Sequence, residues 1–127
     1  MLVDDDENDN FFHERAIRQL SNTTAVVKKN TGEEGLVYLK LQNHNDDPRP
    51  DLIFLDINMP GMNGWEFLDE YNKLDKELQG KAIIVMLTTS DNDEDIARAT
   101  AWNFVSDFIT KPLTRQKMAA IREKYFM

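Results

Sequence analysis

Short apolar runs recur along the chain and are separated by longer stretches in which apolar residues return every three or four positions. The runs with strand character are Met1–Val3, Ala25–Val27, Leu52–Leu55, Ala82–Leu87 and Phe108–Ile109. Strands that alternate with helical stretches are typical of βαβ units in a parallel sheet. The run Leu52–Leu55 is apolar at every position, which favours a central strand covered on both faces. The pattern therefore predicts an α/β fold with five strands and five helices.

The first two predicted helices each have a start signal and an apolar face. The first begins near Asp9. Its expected buried face carries Phe12, Ala16, Ile17 and Leu20. The second begins at Thr31-Gly32-Glu33-Glu34, where a Thr three residues before a Glu is typical of a capping box. Both helices are expected to cover the sheet.

The other three predicted helices differ in the strength of their pattern. The third has apolar residues at helical spacing, at Phe67, Leu68, Tyr71, Leu74 and Leu78. Gly80 is expected to end it. The fourth, Asp93–Trp102, has the weakest apolar face. The last, behind a Thr114 cap, carries Met118, Ile121 and Tyr125.

Polar residues follow four of the predicted strands at the point where each strand ends. They are Asp4, Asp5 and Asp6 after the first strand, Asp56 after the third, Thr88 after the fourth and Lys111 after the fifth. In the strand order 2-1-3-4-5 these ends would meet at one edge of the sheet, where open α/β sheets bind ligands. Clustered carboxylates repel one another and need a cation, and an all-oxygen ligand set suits Mg²⁺. An Asp supported by Mg²⁺ and a Lys can attack phosphorus and form an aspartyl phosphate.

Each of these residues alone also has an ordinary structural interpretation. The acidic run Asp4–Glu7 could be a solvated helix start, and Asp56 could cap the loop that follows it. Phe108 is at least equally well explained as a core residue. His13 and His44 have no partner at metal-ligand spacing, so neither is assigned a function.

Composition narrows the class of protein. The chain has 127 residues, 41% of them hydrophobic, which suits one domain with a sizeable core. A net charge of -8 and a sequence pI near 4.7 argue against a nucleic-acid partner. The absence of Cys excludes disulfides and thiolate sites and suits a reducing, cytoplasmic location. No run approaches the ~18 apolar residues of a membrane span, so no membrane partner is expected.

Four segments together resemble a known family. They are VDDD at Val3–Asp6, DINMPGMNGWE at Asp56–Glu66, LTTSD at Leu87–Asp91 and DFITKPL at Asp107–Leu113. In this order, at these strand ends, they resemble the response-regulator receiver domain over nearly the whole chain. The resemblance implies a flavodoxin-like (βα)5 fold, a doubly wound five-stranded parallel sheet in the order 2-1-3-4-5. It also implies that residues 1–127 form a single receiver domain with no output domain.

The same resemblance implies a role for each strand-end residue. Asp56 would be the phosphoacceptor. Mg²⁺ would bind Asp5, Asp56 and the backbone carbonyl of Asn58, with Asp4 acting through water. Lys111 would bridge the acids and the phosphoryl group, and its bond to the following proline would be cis.

The resemblance further implies a switch and a set of partners. Thr88 would hydrogen-bond the phosphoryl group, and Phe108 would turn inward as Thr88 moves. The phosphoryl donor would be a phosphohistidine of a sensor histidine kinase or a histidine phosphotransfer protein, in a bacterial two-component pathway. The face formed by the fourth helix, fifth strand and fifth helix would then bind a downstream protein or form a homodimer. Near that face, the segment Trp102-Asn103-Phe104 departs from the family pattern.

Two other functions fit part of the pattern. A Mg²⁺-dependent phosphohydrolase with an aspartyl-phosphate intermediate also places an Asp and a Lys at strand ends, but it usually has a second Asp where this chain has Asn58. A receiver-like module could instead bind proteins without phosphorylation. We expect a phosphoacceptor that is not an enzyme and that promotes only its own phosphorylation and dephosphorylation.

Overall fold

A computed structural model describes residues 1–20, 26–40, 51–74, 83–89, 97–98, 101 and 105–126. Some sequence-based predictions lie outside these residues. They concern His44, Leu78, Gly80, the segment 102–104 and most of the fourth predicted helix.

Within the described residues, the strands form one parallel sheet in the order β2-β1-β3-β4-β5. The strands are β1 (Leu2–Val3), β2 (Lys28–Lys29), β3 (Leu52–Asp56), β4 (Ile83–Thr88) and β5 (Val105–Thr110). The predicted doubly wound α/β fold is confirmed, because this strand order reverses direction at β1. The first strand, predicted in the run Met1–Val3, is confirmed at Leu2–Val3.

The second strand was predicted at the wrong residues. The apolar run ending at Val27 only leads into the strand, which is Lys28–Lys29. Pairing with β1 sets its position: Leu2 N–H donates to the Val27 carbonyl at 2.8 Å, and Asp4 N–H donates to the Lys29 carbonyl at 3.1 Å. An edge strand has less apolar surface to bury, and lysines there discourage pairing with another sheet.

The helices whose bounds fall in the described residues are α1 (Glu7–Leu20), α2 (Gly32–Lys40), α3 (Gly64–Asn72) and α4 (Arg115–Tyr125). Helix α4 is the fifth predicted helix, and its predicted Thr114 cap is confirmed by the Thr114 side chain, which accepts from Lys117 N–H at 3.1 Å. Helix α2 begins after Thr31, whose hydroxyl accepts from Glu34 N–H at 3.0 Å.

Helix α1 begins earlier than the sequence pattern predicted and turns a different face to the sheet. It starts at Glu7 because the Asp6 side chain accepts from the N–H groups of Asn8 and Asp9, at 2.9 and 3.2 Å. The prediction that Phe12 faces the core is wrong, since Phe12 is 56% exposed. The buried face carries Asn10, His13, Ala16 and Ile17.

Apolar clusters cover both faces of the sheet. On β3, Ile53 and Leu55 pack in the cluster that contains α2 and α3 residues, whereas Phe54 packs in the cluster that contains α1 and α4 residues. Successive strand residues point to opposite faces, so a strand with four consecutive apolar residues needs both layers. This explains the unbroken run Leu52–Leu55, and it places the polar residue of β3, Asp56, at the end of the strand.

Candidate functional site

The carboxyl ends of the strands bring the predicted polar residues together. Asp4 directly follows β1, Asp56 ends β3 and Thr88 ends β4, and all three are buried. Lys111 directly follows β5, and its N–H donates to the Thr88 carbonyl at 2.6 Å. The prediction that these strand ends share one edge is therefore confirmed by the register and by this hydrogen bond.

The Lys111 side chain is the centre of the site. Its Nζ atom lies 2.8 Å from Asp4 Oδ2, 2.8 Å from Asp9 Oδ2 and 3.3 Å from Asp56 Oδ1. The side chain is only 9% exposed. Burial alone would lower the pKa of Lys111, but the hydrogen bonds that Lys111 donates to Asp4 and Asp9 hold that pKa above its ordinary value. Lys111 is therefore a permanent cation among these acids.

Asp9 was not recognised as a site residue from the sequence. It lies in the first turn of α1, where an acid is commonly explained by the helix dipole. Only the packing of α1 against the sheet edge brings its carboxylate to Lys111. The sequence carried no signal that separates Asp9 from its acidic neighbours.

The carboxyl group of Asp56 is held in an unusual electrostatic environment. Burial, together with the nearby charge of Asp4, raises its pKa to about 6, although Lys111 opposes the shift. The carboxyl group of Asp56 is thus poised to change charge close to neutral pH. Such perturbed groups are concentrated at functional sites.

Three acids could hold a metal ion. Asp4, Asp5 and Asp56 each offer a carboxylate oxygen, and these oxygens lie within 4.8 Å of one another. Asp5 is exposed and so remains accessible, while the other two are buried. Hard oxygen donors of this kind fit Mg²⁺ better than softer metals. The donor set therefore fits the ion that the sequence predicted.

The loop after Asp56 is held by close backbone packing. Gly64 N–H donates to the Ile57 carbonyl at 2.8 Å, and a Cβ atom at position 64 would lie 2.6 Å from the Asp56 carbonyl oxygen. Gly61 has a backbone φ angle of 74°, in the left-handed region that favours glycine. The start of α3 is thereby fixed against the strand end that carries the acid.

A capping box at the start of α3 was missed in the sequence. The Asn63 side chain accepts from Glu66 N–H at 2.9 Å, and the Glu66 side chain accepts from Asn63 N–H at 3.2 Å. The spacing N-x-x-E was the available signal. This cap secures the far end of the loop that begins at Asp56.

The turn that carries Lys111 is tied to α4. Lys111-Pro112 is a cis peptide bond, as the sequence resemblance implied. Lys117 Nζ donates to the carbonyl of Thr110 at 2.6 Å and to that of Pro112 at 3.2 Å. Lys117 thus binds the backbone on both sides of Lys111.

The structure also shows the burial of three other predicted site residues, Thr88, Asn58 and Phe108. Of the two adjacent threonines, Thr88 is buried and Thr89 is exposed, which agrees with Thr88 as the one in the site. Asn58 is exposed in the loop after β3. Phe108 is half-buried and packs against the cluster on the α2 and α3 face. Its role as a switch stays a prediction.

Two buried polar residues of α1 lie beneath the site. Asn10 donates from Nδ2 to the Asp4 carbonyl at 2.9 Å. His13 is 1% exposed, and burial lowers its pKa despite the opposing charge of Asp4. Burial therefore favours the neutral imidazole, and among the described residues it is Lys111 that pairs with Asp4, Asp9 and Asp56.

No described helix is long and apolar enough to cross a membrane.

A family model matches nearly the whole chain. It is described as the response regulator receiver domain, and it matches residues 1–123. A probable methanogenesis regulatory protein of Methanothrix harundinacea is 30% identical over 90% of this chain and 72% of its own length. Other curated relatives are longer, and the chain spans 41% of one and 50% of another.

Solved structures share the fold. A two component response regulator from Cytophaga hutchinsonii has a TM-score of 0.85 and 30% identity, covering 97% of this chain and 92% of its own. The phosphorylated cyanobacterial phytochrome response regulator RcpA has a TM-score of 0.76 and 31% identity, covering 97% of this chain and 86% of its own.

Proposed function

This chain belongs to the response regulator receiver domain family of two-component systems, and we propose that it accepts a phosphoryl group from a phosphohistidine onto Asp56. The observation that carries the proposal is the position of Asp56: a buried carboxylate at the end of β3, 3.3 Å from Lys111 and within 4.8 Å of two further acids.

The proposed reaction is a direct displacement at phosphorus. A carboxylate oxygen of Asp56 forms the new P–O bond as the P–N bond to the donor imidazole breaks, and the imidazole keeps the bonding electron pair and takes up a proton. Lys111 neutralises negative charge on the phosphoryl oxygens, and Thr88 donates a hydrogen bond to one of them. Positioning and charge neutralisation account for most of the acceleration in such transfers.

Mg²⁺ is the proposed cofactor. Asp5, Asp56 and the Asn58 backbone carbonyl would hold it directly, and Asp4 would act through water. The bound ion would supply positive charge to the phosphoryl oxygens. In the metal-free protein, burial and the neighbouring acid Asp4 make the ionised Asp56 costly, as its raised pKa shows. A divalent cation at these acids would favour the carboxylate form that attacks.

The consequence of phosphorylation would be a change in partner binding. Thr88 and Phe108 would form the switch, and the changed surface would be the face formed by the fourth predicted helix, β5 and α4, the fifth predicted helix. Phosphorylation would shift an existing equilibrium of that surface toward a form with higher affinity for a downstream protein or a second copy of the chain. The donor would be a sensor histidine kinase or a histidine phosphotransfer protein. The chain would not act as an enzyme on separate substrates.

Intact-mass measurement tests the proposal directly. The protein is incubated with Mg²⁺ and acetyl phosphate, and an acid-labile gain of one phosphoryl group is expected. The adduct should be absent in Asp56→Ala, and EDTA should prevent its formation in the parent protein. Asp51→Ala, which removes an exposed acid at the other end of β3, is the matched control and should still be labelled. Sustained phosphate release without an adduct would favour a phosphohydrolase. Absence of any adduct would favour a module that binds proteins without phosphorylation.

A further inference from the structure

We propose that Asp9 restrains Lys111 in the unphosphorylated protein and weakens the affinity of the site for a phosphoryl group. The inference rests on the proposed function of Asp56 and assigns a positioning role to a residue that the phosphoacceptor mechanism does not use. Asp9 Oδ2 lies 2.8 Å from Lys111 Nζ, as close as Asp4 Oδ2.

The first argument concerns the number of donors. An ammonium group has three N–H donors. In this structure Lys111 donates to Asp4 and Asp9 at 2.8 Å, while Asp56 lies farther away, at 3.3 Å. A phosphoryl group on Asp56 adds oxygens that compete for the same donors. With Asp56 as the third acceptor, the three donors are already matched, so a phosphoryl oxygen that approaches Lys111 competes with Asp4 and Asp9.

The second argument concerns which contact gives way. The Asp4 side chain is 3% exposed, whereas that of Asp9 is 35% exposed. Loss of its cation would leave Asp4 charged and buried, which is costly. The more exposed Asp9 carboxylate can be solvated by water when it loses Lys111, so breaking this contact costs less free energy than breaking the contact with Asp4. Asp9 is therefore the partner that Lys111 leaves when the phosphoryl group arrives.

The third argument concerns the connection between elements. Asp9 belongs to α1 and Lys111 follows β5, so their contact ties the start of α1 to the turn after the last strand. The Asp9 backbone is itself held by the Asp6 side chain, which accepts from Asp9 N–H at 3.2 Å. This anchor fixes the carboxylate on the α1 side of Lys111. The restraint thus acts in the resting state and is released on phosphorylation.

Beryllofluoride, a phosphoryl mimic that binds carboxylates, measures this affinity without turnover. We expect Asp9→Asn to bind it roughly three- to tenfold more tightly than the parent protein, in saturating Mg²⁺, by isothermal titration calorimetry. Asp9→Glu keeps the charge and the contact and should remain within about twofold of the parent. A gain in affinity is not what a damaged fold would produce.

Two controls separate competition for Lys111 from a general effect of charge. Glu7→Gln removes the same charge at an exposed position in the same first turn of α1 and should leave the affinity unchanged. The gain in Asp9→Asn should also persist at ~0.5 M NaCl, which screens interactions through solvent. An unchanged or weaker affinity in Asp9→Asn, or an equal gain in Glu7→Gln, overturns the restraint. Failure of the parent protein to bind beryllofluoride would overturn the proposed function as well.

Discussion

The Nζ atom of Lys111 lies 3.3 Å from Oδ1 of Asp56. Asp56 ends β3 and Lys111 follows β5, so β4 lies between the strands that carry them. Their contact therefore depends on the order of the whole sheet and on the turn after β5. Because the acid and the cation come from separate elements, substitutions can test each contribution on its own.

Loss of the Lys111 cation should destabilise the metal-free protein. In Lys111→Met, the buried acids Asp4 and Asp56 lose an ammonium partner at 2.8 and 3.3 Å. We expect the free energy of unfolding in EDTA to fall by about 3 kcal/mol, since a buried charge without its partner is strongly unfavourable. Urea denaturation measures this. Lys124→Met removes an exposed lysine paired with Asp107 and should change stability little; an equal loss there would contradict the explanation.

The raised pKa of Asp56 predicts that Asp56→Asn stabilises the metal-free protein above pH 6. The folded-state pKa of Asp56, about 6, exceeds the ordinary value of 3.8, so the folded protein holds this proton more tightly than the unfolded chain does. The stabilisation from the protonated form is complete below about pH 3.8 and is lost as pH rises through 6. Asn, which is neutral throughout, should gain about 2 kcal/mol over the parent at pH 8.

The pH dependence distinguishes this explanation from a simple packing effect. Urea denaturation in EDTA at several pH values should show the advantage of Asp56→Asn shrinking as pH falls below 6. A gain that stayed constant from pH 8 to pH 5 would argue against the charge of Asp56 as its cause.

Mg²⁺ should stabilise the folded protein through the acids at the sheet edge. At a concentration 100 times its Kd, a ligand that binds only the folded state adds about 2.7 kcal/mol to the free energy of unfolding. Asp5→Asn removes the negative charge from an exposed member of the proposed ligand set and should weaken Mg²⁺ binding by at least about tenfold. Thermal unfolding across a Mg²⁺ titration measures both effects. Asp51→Asn is the control, and loss of Mg²⁺ binding in that variant would place the ion elsewhere.

Gly64→Ala should disturb the strand end that carries Asp56. The added Cβ would lie 2.6 Å from the Asp56 carbonyl oxygen and 2.9 Å from the Ile57 Cα atom, so backbone must move. We expect a loss of about 2 kcal/mol in the free energy of unfolding and slower labelling of Asp56 by acetyl phosphate. Asp69→Ala changes an exposed residue of α3 and should alter neither the free energy of unfolding nor the rate of labelling. Normal stability of Gly64→Ala would show that the loop can shift without cost.

A matched pair of substitutions tests the face of α1. Phe12 is 56% exposed and Ile17 is 7% exposed. Phe12→Ala should change the free energy of unfolding by less than about 0.5 kcal/mol, whereas Ile17→Ala should lower it by about 2–4 kcal/mol. Urea denaturation of both variants decides between the observed face and the one expected from the sequence. A larger loss of stability for Phe12→Ala than for Ile17→Ala would favour the buried face expected from the sequence.

The errors in the sequence-based predictions share a cause. Phe12 was assigned to the core because it lies at helical spacing with other apolar residues of the first helix, yet α1 instead buries Asn10 and His13 next to the polar strand end. The second strand was assigned to its apolar residues, yet hydrogen bonds with β1 place it at Lys28–Lys29. In both cases the neighbouring element, rather than local hydrophobicity, decided the position.

The sequence by itself determined the layered α/β architecture and the acids and lysine at the strand ends. Unbroken apolar runs, helical periodicity and strand-end polarity are local properties that can be seen without a structure. Tertiary packing alone brought Asp9 to 2.8 Å from Lys111 and raised the pKa of Asp56 to about 6. Contacts and desolvation of this kind depend on residues far apart in the chain, and on distances of a few ångströms that no local pattern encodes.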